Sequence, residues 1–281
     1  MATTSNTAAS LADTVWTEVI QADVLQELRP AMTSREFIRF ATPGPSNVAS
    51  FPIWGDAGAG ASFTDAAEVT STELSDTQVS ATAAEVGFRV DVTDLLKTIY
   101  PGDLISESAR IAAAGVAEKW ETDLSALMDD FTNITTAAST LSSIDLLAAV
   151  SALEQRDIPG PYVGYLDPKQ TGELRADIAT TTSSYAIGRD GEKVAPFGTS
   201  GFFGTYMGVP IFQTSLVVTT TSLVGGAVFA SKQAIGCYEL WGPRIETQRD
   251  ASYRLLEIIA TQCYGFCEIA DTRGQTVKSA A

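Results

Sequence analysis

The sequence predicts an α+β chain in which one long helix is set among several strands, and three stretches carry that prediction. Residues 103–130 place Ile105, Ala109, Ala112, Val116, Trp120, Leu124 and Leu127 at an average step of about 3.7 residues, the apolar stripe of a single long helix. Residues 85–93 alternate with period two: Val86, Phe88, Val90 and Val92 fall on one face and Glu85, Gly87, Arg89 and Asp91 on the other. Residues 253–269 read as a second long strand, apolar on both faces in its middle.

The remaining elements follow in chain order. Residues 1–12 are small and polar and are expected to be loose. Residues 13–28 carry Val15, Val19, Val24 and Leu28 among acids at roughly helical spacing and are stopped by Pro30, so an arm with one short helix is expected. Residues 47–54 are strand-like, with Pro52 confining them to a sheet edge. Residues 55–78 then lack a core pattern. Two strands, 47–54 and 85–93, flanking a long polar connection predict an extended hairpin arm, too small to be stable alone and so expected to find its partner on another chain.

The turn Pro101-Gly102-Asp103 starts the long helix, which at 1.5 Å per residue would run about 42 Å. Glu107, Arg110, Glu118 and Glu121 are expected on its outer face. A second helix is expected over residues 143–156, capped by Ser143, and a short strand over 162–166 enters a third helix after Asp167-Pro168. Residues 180–208 are rich in Gly, Ser and Thr and read as a long surface loop holding Phe197, Phe202, Phe203 and Tyr206. Short strands are expected over 208–213, 226–231 and 234–240.

Composition excludes several functions. The 281 residues are 45% hydrophobic, enough for a core, and only 19% charged, below the usual ~25%. Eighteen basic against 34 acidic residues leave a formal charge of -16 and a pI near 4.3. Such a chain repels a polyanion, which argues against binding nucleic acid through its phosphates. Histidine is absent. That removes Ser-His-Asp and Cys-His catalysis, paired-His metalloprotease sites and His-containing zinc fingers, each of which needs an imidazole.

Cys237, Cys263 and Cys267 are too few for a disulfide framework and wrongly spaced for a zinc ribbon; they are expected as small core residues. Cys263 and Cys267, four apart on a strand, would share a face about 13 Å apart, too far for a disulfide. The first basic residue is Arg29, so no charged signal-peptide segment is expected, and no apolar run approaches ~18 residues. A cytoplasmic protein, or one assembled there, is expected, with no membrane contact.

No catalytic constellation is expected, and no cofactor or metal. The run Gly55 to Gly60 lacks the Lys-Ser/Thr of a phosphate loop and precedes no helix. Asp129 with Asp130, Asp91 with Asp94, and Glu118 with Glu121 read as solvated faces in an acid-rich chain. Asn133-Ile134-Thr135 matches a glycosylation sequon without a secretory signal to use it. Trp120 and Trp241 read as core residues.

The order of a loose arm, an extended hairpin with an acidic tip, a long helix, a mixed domain with a large loop and a long closing strand resembles the major capsid proteins of tailed bacteriophages, the HK97-like fold. Residues 16–32 resemble its N-terminal arm, Phe51-Pro52-Ile53-Trp54 and residues 86–94 the two sides of its extended loop, residues 103–131 its spine helix. Pro243-Arg244-Ile245-Glu246 followed by residues 253–265 resembles the ending of its peripheral domain. The resemblance implies an N-terminal arm over 1–35, an extended loop over 36–95, a peripheral domain with the spine helix over 96–140, an axial domain over 141–242 and a return to the peripheral domain over 243–281.

It further implies self-assembly through hexamers and pentamers into an icosahedral shell, with packaged DNA along the inner wall and no sequence-specific binding. A portal, a separate scaffolding protein and a cement or decoration protein are the implied partners, since the chain has no room for a fused scaffolding segment. A cellular nanocompartment of the encapsulin type shares the fold and is the alternative. Inter-subunit contacts are expected from Asp56, Asp65, Glu68, Glu73 and Asp76, a run of acids without a Lys or Arg between residues 55 and 78, loose in an isolated subunit and ordered against a basic neighbour. Arg110, Arg244, Arg249 and Arg254 are the expected basic partners. Some members of the family crosslink a loop Lys to a neighbour's Asn. Here none of the six lysines lies between residues 55 and 78, and the only asparagines are Asn6, Asn47 and Asn133, so a non-covalent shell is expected.

Overall fold

The computed structural model describes residues 34–281, apart from 56, 57, 59, 61, 63, 64, 66–70, 72, 101–103, 138, 181–201, 207, 221 and 222. The arm helix expected over 13–28 lies outside the described residues. After a 3-10 turn at Ser34–Phe37, the chain forms β1 (Arg39–Ala41), β2 (Val48–Trp54), β3 (Asp76–Thr82), β4 (Ala84–Thr93), α1 (Asp94–Ile99) and α2 (Leu104–Asp129). There follow β5 (Ile134–Thr136), α3 (Ser143–Glu154), β6 (Tyr162–Leu166), α4 (Pro168–Thr180), β7 (Phe202–Tyr206) and β8 (Val209–Gln213). The last four strands are β9 (Leu223–Ala230), β10 (Ile235–Asp250), β11 (Leu255–Glu268) and β12 (Gly274–Ala280).

These strands make two sheets and a ribbon: a four-stranded sheet β1-β10-β11-β4, a six-stranded sheet β5-β12-β9-β6-β8-β7, and the pair β2-β3. In the first sheet β11 is antiparallel to both β10 and β4, while β1 runs parallel to β10. The apolar face predicted for residues 85–93 serves this sheet. Val90 and Val92 of β4, with Ile258 and Ala260 of β11, bury against Ala112 and Val116 of α2. Gly115 lets helix and strand approach, because a Cβ there would stand 2.8 Å from the Phe88 ring.

Further along α2 the helix enters the join between the sheets. Trp120 is wholly buried, 4.6 Å from the Tyr264 ring and 4.8 Å from Phe266, in a cluster that includes Phe37, Ile38, Leu124, Phe229 and Ile235. The six-stranded sheet carries its own core, in which Leu146, Ala149, Val150 and Leu153 of α3 meet Leu166, Val228 and Val277.

Several expectations change. β2 pairs with β3, from Val48 opposite Thr82 to Trp54 opposite Asp76, so residues 85–93 are not the second side of the hairpin arm. Asp76–Gln78, placed in the patternless stretch, are the first three residues of β3. The cap of α3 is Ser142, not Ser143: its hydroxyl accepts from Asp145 N while Asp145 accepts from Ser142 N, a reciprocal capping box. The strand expected over 234–240 continues to Asp250, and Phe202–Tyr206 of the expected loop is strand β7. The chain joins the four-stranded sheet at Ile235 and leaves it again for β12 of the six-stranded sheet, so residues 243–281 do not belong to one sheet.

Candidate inter-subunit surface

The β2–β3 ribbon is covered at its root and bare at its tip. Phe51 and Ala81 are buried with Ala83, Tyr238, Cys263, Cys267 and Ile269, which fastens the ribbon over β10 and β11. At the crossing, a Cβ on Gly265 would stand 2.0 Å from the Thr82 carbonyl oxygen, so only glycine fits there. At the far end of β2 and just before β3 the support is gone: Trp54 is 69% and Leu74 70% exposed. Gly55 N donates to Ser75 O at 2.8 Å and continues the pairing there. Asp65, Glu73 and Asp76 are exposed on or beyond this tip, while Asp56 and Glu68 lie outside the described residues.

The expected basic partners divide into two kinds. Arg249 is already engaged, its guanidinium donating two hydrogen bonds to Asp94 at 3.0 and 2.7 Å, and Arg110 donates to Glu107 one turn back at 3.2 Å. The Arg249 guanidinium holds the Asp94 carboxyl below its usual range. Arg244 lies with its guanidinium 5.2 Å from the Trp241 ring centre, and Arg254 sits at φ 53° in the turn between β10 and β11, its carbonyl accepting from Asp94 N at 3.0 Å. Neither Arg244 nor Arg254 has an ion pair among the described residues. Both lie on the outer half of the β10–β11 hairpin, where residues 243–249 are exposed and, among the described residues, β10 has no strand on its other edge, since β1 pairs only with residues 236–238.

Two acids leave their expected places. Asp91 is buried at 5% exposure because Arg89 binds it at 2.5 and 2.8 Å and also reaches Glu257 at 2.6 Å. Glu121, expected on the outer face of the long helix, is wholly buried: it accepts from Ser34 N at 3.3 Å, from Ser34 Oγ at 3.0 Å and from the Tyr165 hydroxyl. Trp120 Nε1 donates to the same Ser34 Oγ at 3.2 Å. Next in sequence, Arg35 donates to Glu239 through both terminal guanidinium nitrogens and lies 5.1 Å from the centres of the Phe40 and Trp120 rings. Ser34 is therefore fixed to α2 and Arg35 to β10 by polar contacts.

Cys237, Cys263 and Cys267 are free, buried thiols, and burial pushes the pKa of each up. Among the described residues no three His, Cys, Asp or Glu side chains converge as metal ligands, and no helix is long and apolar enough to cross a membrane.

This architecture matches solved shell proteins over nearly its full length. The capsid of the cyanophage P-SCSP1u superposes with a TM-score of 0.73 at 16% identity, covering 96% of this chain and 94% of that one. The capsid of Ralstonia phage GP4 gives 0.74 at 11%, covering 95% and 96%. The holo-SrpI encapsulin complex from Synechococcus elongatus PCC 7942 gives 0.66 at 13%, covering 98% and 95%. Identities this low speak for the fold, which is the HK97-like shell fold. No curated protein matches the chain. The family described as phage capsid protein matches residues 76–274, and the chain belongs to that family. It is a capsid shell protein of the virion.

Proposed function

We propose that the chain is the major subunit of a tailed-phage head, closing as hexamers and pentamers into an icosahedral shell around double-stranded DNA. The observation that carries this reading is the β2–β3 ribbon, which ends in an exposed Trp and Leu flanked by acids and has no cover at its tip within the described residues. In this reading the ribbon is the extended loop, α2 with the four-stranded sheet the peripheral domain, and the six-stranded sheet the axial domain. Arg244 and Arg254 are the basic residues left for a neighbour's Asp65, Glu73 and Asp76, whereas Arg249 and Arg110 act within the subunit.

The role is structural and includes no catalytic step. A formal charge of -16 suits a wall along which packaged DNA must slide without adhering. A portal and a separate scaffolding protein are the partners expected of such a shell, with a cement protein as an optional addition. Negative-stain microscopy of the purified protein, alone and with the product of a neighbouring scaffolding gene, tests the proposal. Closed particles of uniform size are expected, and dispersed subunits under both conditions would overturn it. The encapsulin shares this fold, so a cellular cargo shell is the second reading. A gene for a cargo enzyme beside this one, in place of terminase and portal genes, would select it.

A further inference from the structure

The described chain passes between its two sheets three times, through residues 130–133, 231–234 and 269–273, and the three passages are tied to one another. Asp271 accepts from Thr132 N at 2.8 Å and from the Thr132 hydroxyl, and Asn133 Nδ2 donates to Asp271 O at 3.4 Å. Ile269 N donates to Ala234 O at 2.8 Å. Arg156, from the end of α3, donates to Thr272 O at 3.0 Å and to Gln275 Oε1 at 2.7 Å. Glu268, the last residue of β11, has Oε1 buried with no donor reaching it, and the Asp271 carboxyl lies against its side chain. Two carboxyls can bond only by sharing a proton.

We infer that Glu268 and Asp271 form a proton-dependent clasp at this junction, closed when Glu268 donates a proton to Asp271 and loosened when both are ionised. Burial first, then the bond to Asp271 and the charges of Asp271 and Asp130, push the Glu268 carboxyl up from 4.5 to about 7. For Asp271 burial works upward as well, but the Thr132 donors, the bond from Glu268 and the charge of Arg156 leave it below its usual range, so the proton resides on Glu268. Asp130 from the end of α2 and Arg156 from the end of α3 act on this pair by charge, and Lys232 and Arg273 lie within the passages themselves.

A carboxyl whose pKa is raised in the closed state stabilises that state fully below 4.5 and loses the contribution as pH rises through about 7. An opening that returns Glu268 to 4.5 therefore becomes roughly tenfold easier between pH 6 and pH 8.

Hydrogen exchange of the full-length chain, corrected for intrinsic rates, reads the step at the Thr132 and Ile269 amides. Protection in the wild type is expected to fall roughly tenfold from pH 6 to pH 8, and to stay level in Glu268→Gln, which keeps a neutral donor. A step that persists in Glu268→Gln, or a wild type without one, would overturn the inference. Should that variant fail to fold, carboxyl carbon NMR of glutamate-labelled wild type decides: one glutamate titrating near pH 7 supports the clasp, and none doing so contradicts it.

Discussion

Trp120 and Glu121 are neighbours in sequence with opposite chemistry, and both are wholly buried. The indole closes the aromatic cluster with Tyr264 and Phe266, so Trp120→Ala is expected to cost about 3–5 kcal/mol, read as a lower denaturant midpoint and poor soluble yield. An unchanged midpoint would show that the ring does not hold the core. Glu121→Ala leaves the Ser34 and Tyr165 hydroxyls without their acceptor, a loss on the order of 3 kcal/mol, measured in the same titration. Trp120 was legible in the sequence because it lies on the apolar stripe of the helix. Glu121 was not, because its partners are 87 and 44 residues away and a charge on a helix ordinarily faces water. Ser108 and Ser125, also buried on the same helix, were the available hint that the covered face is wider than the apolar stripe.

At the scale of elements, strands with a strong pattern were found and their partners were not. The alternation of residues 85–93 is the apolar side of β4 lying on α2. β3, the true partner of β2, has only Val79 and Ala81 turned inward in Asp-Thr-Gln-Val-Ser-Ala-Thr, too few apolar positions to stand out. Pairing is set by contacts across the chain, here by Phe51 opposite Val79 over β10 and β11, which local periodicity does not encode. Of the expected contact residues, Asp65, Glu73, Asp76, Arg244 and Arg254 make no ion pair among the described residues, while Arg249 is taken by Asp94, 155 residues away, which local sequence does not show. The bare ribbon tip makes a separate prediction. Trp54→Asp should leave the melting temperature of the isolated subunit nearly unchanged and sharply reduce the yield of closed particles in sedimentation. Equal particle yields from variant and wild type would remove the ribbon tip from the assembly contact.

In the whole molecule, the ribbon tip and the outer half of the β10–β11 hairpin are exposed edges. The order of elements along the chain was enough to suggest the shell fold, because an arm, a ribbon and a long helix in that sequence have few other uses. The division of the last strands between the two sheets was not legible, since β12 carries no pattern that says which sheet it closes. With no lysine between residues 55 and 78 and only three asparagines, mature particles boiled in detergent should release monomers near 29.7 kDa. A ladder of multimers that survives reducing agent would mean a covalent weld at residues other than these.

The central claim, that this chain builds a closed shell through its ribbon and hairpin, is tested most directly by electron cryo-microscopy of particles assembled from it. The account predicts hexamers and pentamers in which the Trp54 and Leu74 tip of each subunit rests on the neighbour, within reach of the exposed outer half of that neighbour's β10–β11 hairpin. A reconstruction in which the ribbon folds back onto its own subunit, with neighbours joined only through the six-stranded sheet, would contradict it.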